Sequence, residues 1–240
     1  MNDRWLNIAN LSFGYPSRPL FHELSLSVST DQPIVGILGP SGIGKTTLLN
    51  LIAGFEMAMK GSICVHDEIV KRPSANRPVV FQDHNLFPWK SVSKNIELGL
   101  LATKISRADR REKVCNLLEA MGLEQCAELY PRELSGGMQQ RVGLARAMAV
   151  SPQCILMDEP FSALDETTRK SVRDFFKRTL EANKTNAIIV THDAGEAMVL
   201  CDYLIVINSV GKVTTVETNM IDLESLRIVL SNSVEINYRK

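Results

Sequence analysis

The chain has 240 residues, 45% of them hydrophobic, enough for one large domain or for a domain carrying an inserted subdomain. Lysine plus arginine and aspartate plus glutamate each number 27; a main role in binding free DNA or RNA would call for a clear positive excess and is disfavoured. The five cysteines (Cys64, Cys115, Cys126, Cys154, Cys201) are scattered and contain no C-x-x-C pair, which argues against a disulfide framework or a zinc cluster and fits a reducing cytosol.

The N-terminal MNDRWLNIAN is polar and carries no apolar signal core. Apolar runs such as YLIVI (Tyr203–Ile207) fall far short of the roughly 18 residues a membrane span needs. A soluble chain is expected, with any membrane role coming through a partner. LNIANLSF and HELSLSV alternate with period two and predict strands. PIVGIL is a continuous apolar run, the pattern of a strand buried on both faces. It leads into GPSGIGKTT, after which TTLLNLIAG predicts a helix stopped by Gly54.

From Ser91 to Val150 the pattern is mostly helical. Ser106 suits an N-cap, and Val114, Leu117, Leu118 and Met121 recur at helical spacing before Gly122. Strand-like runs return with CILM, AIIV and YLIVI. The expected organisation is an α/β core of residues 1–85 and 151–240, interrupted by a helical subdomain at 86–150.

Gly39, Gly44, Lys45 and Thr46 satisfy G-x-x-x-x-G-K-[ST] between a buried strand and a helix. In such a loop backbone N–H groups turn inward onto phosphate oxygens and the following helix aims its positive end at them. Lys45 would reach the β- and γ-phosphates, and the Thr46 hydroxyl would serve a magnesium ion. CILMDEP would bring Asp158 and Glu159 to a strand's carboxyl edge, where open α/β sheets bind ligands. Asp158 suits magnesium; Glu159 suits activation of an attacking water. A guanine-reading N-K-x-D is absent: Asn183-Lys184-Thr185-Asn186 lacks the aspartate and precedes a strand.

LSGGMQQRVGLARAM (Leu134–Met148) opens a second helix on a glycine pair, with no lysine beside it. Followed by ILMDEPFSALD and then THD, it closely resembles the nucleotide-binding domain of ABC transporters over roughly residues 5 to 215. The resemblance implies an α/β P-loop NTPase core with a mainly parallel sheet, an N-terminal antiparallel β portion and an inserted helical subdomain. It implies ATP and Mg2+ as cofactors. Tyr15 in FGYP would stack on adenine, with Phe13 as its rival, and Gly39, Pro40, Ser41, Gly42, Ile43, Gly44, Lys45, Thr46 and Thr47 would cradle the phosphates. Gln82 would sense magnesium and the attacking water, so Thr46, Gln82 and Asp158 form the implied metal set. Glu159, His192, Gln82 and Lys45 form the implied catalytic set, with His192 on the γ-phosphate. Ser135, Gly136 and Gly137, with the loop from Ser162 to Asp165, would reach a nucleotide held by a second subunit. A helix start needs no lysine there, because the partner's loop brings one.

The resemblance therefore implies a head-to-tail homodimer, or a paired ATPase subunit, on the cytoplasmic face of the membrane. Its partners would be an integral-membrane permease and, indirectly, an extracytoplasmic solute-binding protein, with no nucleic acid. The chain resembles the separate ATPase of an importer, and NLFPW (Asn85–Trp89) resembles the taurine, sulfonate, nitrate and pyrimidine-precursor group. Leu86, Phe87 and Trp89 would line a docking groove or pack the subdomain core; both readings stay open. A detached exporter or lipoprotein-release ATPase is the alternative, ahead of a DNA-maintenance or translation ATPase. Two positions depart from the family: Asp31-Gln32 stands where Gly-Glu is usual, and Met138 where glutamine is commoner. The last twenty-five or so residues match no appended regulatory domain, and packing on the core is expected of them.

Overall fold

The computed structural model describes residues 3–16, 18–83, 85–101 and 103–231. In chain order its strands and helices are β1 (Arg4–Tyr15), β2 (Arg18–Ser29), β3 (Ile34–Leu38), α1 (Lys45–Ala53), β4 (Lys60–Val65), β5 (Glu68–Ile69), β6 (Val79–Val80), α2 (Val92–Leu100) and α3 (Arg107–Ala120). They continue as α4 (Gly136–Ala149), β7 (Cys154–Asp158), α5 (Glu166–Asn183), β8 (Asn186–Thr191), α6 (Ala194–Leu200), β9 (Tyr203–Ile207), β10 (Val213–Glu217) and α7 (Leu223–Ser231). They fall into two compact units, one formed by the chain up to Ser74 together with the chain from Asn186 onward, the other by Ala75–Thr185.

The first unit carries an antiparallel sheet in the order β2-β1-β4-β5, paired from Arg4↔Ser29 to Tyr15↔Arg18 along its long hairpin. Its strand β1 buries Trp5, Leu6, Ile8 and Leu11. Beside these, β3 lies between β8 and β9, parallel to both, and β10 closes antiparallel on β9. Every residue of β3 and β8 is buried, as their continuous apolar runs require; each fully buried Ile, Leu or Val contributes about 1.5–3 kcal/mol. Asp202 fixes the entry to β3 by accepting from the Ile34 N–H at 2.9 Å.

Gln32, one of the departures from the family pattern, has a local reason. Its side-chain Nε2 donates to the Glu217 carboxylate at 2.8 Å, while its carbonyl accepts from the Trp5 indole at 3.1 Å. A glutamate at 32 would set two carboxylates face to face. α1 ends at Ala53 with Gly54 as its cap, in the left-handed conformation expected of the stop. At the far end α7 buries Leu226 and Val229; the expectation for the end of the chain beyond Ser231 lies outside the described residues.

In the second unit, short β6 pairs in parallel with β7 through Val79↔Leu156 and Val80↔Met157. α2 packs against α4 and α3. Ser106 caps α3 by accepting from the Asp109 N–H at 3.1 Å, and Val114, Leu118 and Met121 are buried on one face. Leu117, at the same spacing, is only half-buried. Asn95 is 0% exposed. Its amide binds the Phe87 N–H and the carbonyls of Phe87, Lys90 and Ser91 at 2.8–3.2 Å, so one side chain sets the whole turn ahead of α2.

Candidate functional site

The expected site residues fall in both units. Tyr15, the 39–47 loop and His192 belong to the first; Gln82, Ser135–Gly137, Asp158, Glu159 and Asp165 belong to the second.

The 39–47 loop leaves β3 and enters α1. A Cβ on Gly39 would run into the Ile207 carbonyl oxygen and sit 3.1 Å from Ile43 Cγ2, so only glycine lets the loop start this close to β9. Lys45 opens α1 and is buried, its Nζ donating to the carbonyls of Gly39 at 2.8 Å and Pro40 at 2.9 Å. The ammonium is thereby folded across the loop at the positive end of a helix, the right place for a phosphate. Tyr15, Arg18, Gly42, Gly44, Lys45 and Thr46 line a common cavity of about 180 Å³. Between the two aromatic rivals the division is plain. Phe13 is a core residue at 7% exposure, while Tyr15 is 46% exposed and meets Phe13 edge-on at 5.5 Å. Arg18, which sequence reasoning passed over, also lines the cavity, because the Tyr15↔Arg18 pair closes the hairpin beside the loop.

His192 follows the last residue of β8. The turn it occupies is pinned on both sides. The Thr191 hydroxyl donates to Glu196 at 2.8 Å, and Asp193 caps α6 by accepting from the N–H groups of Gly195 and Glu196. His192 itself is exposed.

In the second unit Asp158 ends an all-buried β7 at 7% exposure. Glu159 follows with φ 48°, a left-handed backbone that costs a non-glycine residue about 1–2 kcal/mol. Three donors converge on its carbonyl: Gln140 Nε2 at 3.1 Å, Ser162 Oγ at 3.0 Å and Ser162 N–H at 3.3 Å. The turn from Phe161 to Leu164 is held further by Arg169, which donates to the carbonyls of Phe161 and Leu164. Asp165 caps α5 by accepting from the Thr168 N–H at 3.0 Å, and hydrogen bonds from the Thr168 side chain, first, and its backbone N–H draw the Asp165 carboxyl below the ordinary aspartate range.

α4 starts at the glycine pair. Ser135 is its N-cap, accepting from the Met138 N–H at 3.3 Å, which leaves the hydroxyl proton for another acceptor. The first-turn N–H groups, including those of Gly136 and Gly137, have no partner within the helix. The glycines differ in purpose: a Cβ on Gly136 meets nothing nearer than 3.9 Å, whereas one on Gly137 would stand 3.1 Å from the Ala163 carbonyl and 3.2 Å from Leu164 Cδ2. Gly137 is where the 161–164 turn packs onto α4.

Gln82 is exposed. Farther along, Phe87 and Trp89 are 40% and 69% exposed and meet edge-on at 5.5 Å, with Leu86 half-buried. Of the two readings of this segment, the core accounts for little of Trp89. Arg146, near the end of α4, donates to the Asn85 carbonyl at 2.9 Å and anchors the segment's start.

Residues 21–162 match the family model described as ABC transporter. The chain is 41% identical over 203 residues, 85% of its length and 79% of the relative's, to the taurine import ATP-binding protein TauB of Yersinia pestis bv. Antiqua (strain Antiqua). Its fold superposes on the dimeric ATP-binding cassette MJ0796, solved in a post-hydrolysis state with ADP and Pi, with TM-score 0.77, 28% identity, and coverage of 89% of this chain and 98% of that one. It also superposes on cbiO1 of Clostridium perfringens, part of the ABC transporter complex cbiONQ. There the TM-score is 0.79 at 23% identity, with 91% and 90% covered, a likeness of fold.

Proposed function

This chain belongs to the ABC transporter family as an ATP-hydrolysing subunit, and from that membership we propose that it drives a membrane permease for small-solute uptake. The observation that carries the nucleotide reading is the cavity shared by exposed Tyr15 and the loop around Lys45. An aromatic face there stacks on adenine, and Lys45 with the N–H groups of the Gly39–Thr47 loop takes the phosphates. Glu159 accepts the proton of the attacking water, and His192 donates to the γ-phosphate. Gln82 orients that water.

Thr46, Asp158 and Gln82 carry hard oxygen donors of the kind Mg2+ prefers and would hold the ion. Bound there, it would neutralise charge on the transferred phosphoryl group. Among the described residues no three His, Cys, Asp or Glu side chains gather as a metal cage.

Two copies pair head to tail, so that Ser135, Gly136, Gly137 and Asp165 of one complete the site of the other. The dimeric cassette among the structural relatives supports this pairing. The subdomain of residues 86–150 carries Ser135 and presents Phe87 and Trp89 to the permease. No helix among the described residues is long and apolar enough to cross a membrane; the subunit sits peripherally on the cytoplasmic face, serving a permease fed by a solute-binding protein. The likeness to a taurine import protein favours a small sulfonate-type solute. The decisive experiment is Glu159→Gln. It should keep ATP binding and lose at least about a hundredfold in turnover, the scale of general-base catalysis; turnover within threefold of the unaltered chain would remove Glu159 from that role.

A further inference from the structure

Gln140 lies five positions beyond the Ser135 cap, in the second turn of α4, and is 1% exposed. Both ends of its amide are used on backbone outside the helix. Nε2 donates to the Glu159 carbonyl at 3.1 Å, and Oε1 accepts from the Ala163 N–H at 3.2 Å. A glutamine amide offers a donor and an acceptor side by side at the end of a two-methylene stem. A glutamate would lose the donor and a leucine both.

We propose that Gln140 is a positioning residue for hydrolysis, locking the left-handed Glu159 backbone and the 161–164 turn to the helix that begins at Ser135. The proposal rests on Glu159 acting as the base. A left-handed residue off glycine persists only where its surroundings over-determine it, and here the Gln140 amide adds to the two Ser162 donors by reaching the Glu159 carbonyl from a separate helix. The carbonyl orientation fixes the plane of the peptide after Glu159, and with it the direction in which the carboxylate leaves the chain. The same amide holds Ala163, against which Gly137 packs. A movement of the start of α4 is thus passed directly to the base and to the neighbouring turn.

The test uses Gln140→Met, which keeps volume and removes both amide groups, in the full chain and in a Glu159→Gln background. ATP turnover, KM and the dissociation constant of a fluorescent ATP analogue are measured for each. In the unaltered background kcat should fall about 10–100-fold with KM and analogue binding within threefold, because only the transition state uses the positioned carboxylate. In the Glu159→Gln background the same change should alter the residual rate by less than about twofold, since coupled residues are not additive. Turnover within threefold of the unaltered chain, or an equal loss in both backgrounds, overturns the proposal. Normal turnover by Glu159→Gln alone shows instead that Glu159 is not the base, a result obtained without touching Gln140, and the proposal goes with it. If Gln140→Met melts below the assay temperature, Ser162→Ala decides. Its exposed hydroxyl donates to the same carbonyl, so kcat should drop at least about threefold at unchanged KM, and an unchanged kcat overturns the proposal.

Discussion

Leu38 and Thr191 are register partners in adjacent parallel strands, so the chain leaves both strands at one edge, into Gly39 from β3 and into His192 from β8. This is the carboxyl edge at which open α/β sheets place ligands. The turn around His192 is held by the Thr191 hydroxyl on Glu196 and by the Asp193 cap of α6. His192→Ala should therefore leave the fold and nucleotide affinity nearly intact while turnover falls about a hundredfold, the usual effect of losing one donor to a developing charge. The check is kcat beside analogue binding. A parallel loss of binding would make His192 a ground-state contact.

The two glycines at the start of α4 should respond differently to a methyl group. Gly136→Ala finds open space and a better helix former, so its melting temperature should stay within about 2 °C of the unaltered chain or rise slightly. Gly137→Ala drives a Cβ against the Ala163 carbonyl and Leu164. That overpacking should cost about 1–3 kcal/mol and lower the melting temperature by several degrees, roughly 2–4 °C per kcal/mol at this size. Thermal unfolding of the two variants side by side is the measurement.

Much of this fold was legible because it is written locally. The unbroken apolar runs at β3, β7, β8 and β9, the Gly54 stop and the Ser106 cap each depend on a few consecutive residues. β5 and β6 are two residues each, too short for a local pattern to announce: β5 folds back on β4 across a tight turn, and β6 exists only through its distant partner β7. The same division runs through the site. The phosphate loop, Asp158-Glu159 and the glycine pair carry their chemistry in their spacing. Asn95 and Gln140 read as unremarkable helix polars until their partners at 87–91 and at 159 and 163 are seen. The one available signal was position: both are helical amides on faces that also carry buried neighbours. Gly137 looked like half of a phosphate-binding pair, and its second duty toward Ala163 needed coordinates.

The cysteines should separate cleanly in a labelling experiment. Cys154 is fully enclosed in β7, where loss of solvation pushes its thiol up to about 12, so at pH 8 it stays a thiol. Cys115 on α3 is exposed. Iodoacetamide on the folded chain should modify Cys115 within minutes and leave Cys154 untouched until denaturant is added. Mass spectrometry of the peptides reads both. Native-state modification of Cys154 would mean that β7 opens readily.

Asp165 gives the cap of α5 a defined pH dependence. Its carboxyl is drawn below its ordinary value chiefly by the side-chain hydrogen bond with Thr168. A depressed carboxyl stabilises the fold above its unfolded pKa, about 3.9, and that contribution is lost as pH falls through the lower folded value. The stability gap between the unaltered chain and Asp165→Ala should therefore be constant near neutrality and narrow in acid below about pH 4. Urea midpoints at a series of pH values test it, and a gap that widened in acid would contradict the capping role.

Sharing of each ATP between two copies makes the sharpest prediction. Lys45 lies in the loop of residues 39–47 and Ser135 caps α4; in the proposed head-to-tail pair they would act on one nucleotide from opposite chains. Mixing a Lys45→Ala chain with a Ser135→Arg chain then produces a dimer in which one site carries both lesions and the other carries neither. Were both residues to serve one nucleotide within a chain, every chain in the mixture would hold a damaged site. In a Glu159→Gln background, where bound ATP persists, the mixture should dimerise while each variant alone stays monomeric. Light scattering coupled to gel filtration distinguishes the two states. Monomers in the mixture, under conditions where Glu159→Gln alone dimerises with ATP, would count against the shared site. Repeating the mixture with the permease present adds the permease's docking energy to that of the single intact site, so a failure there as well would leave the two motifs acting within one chain.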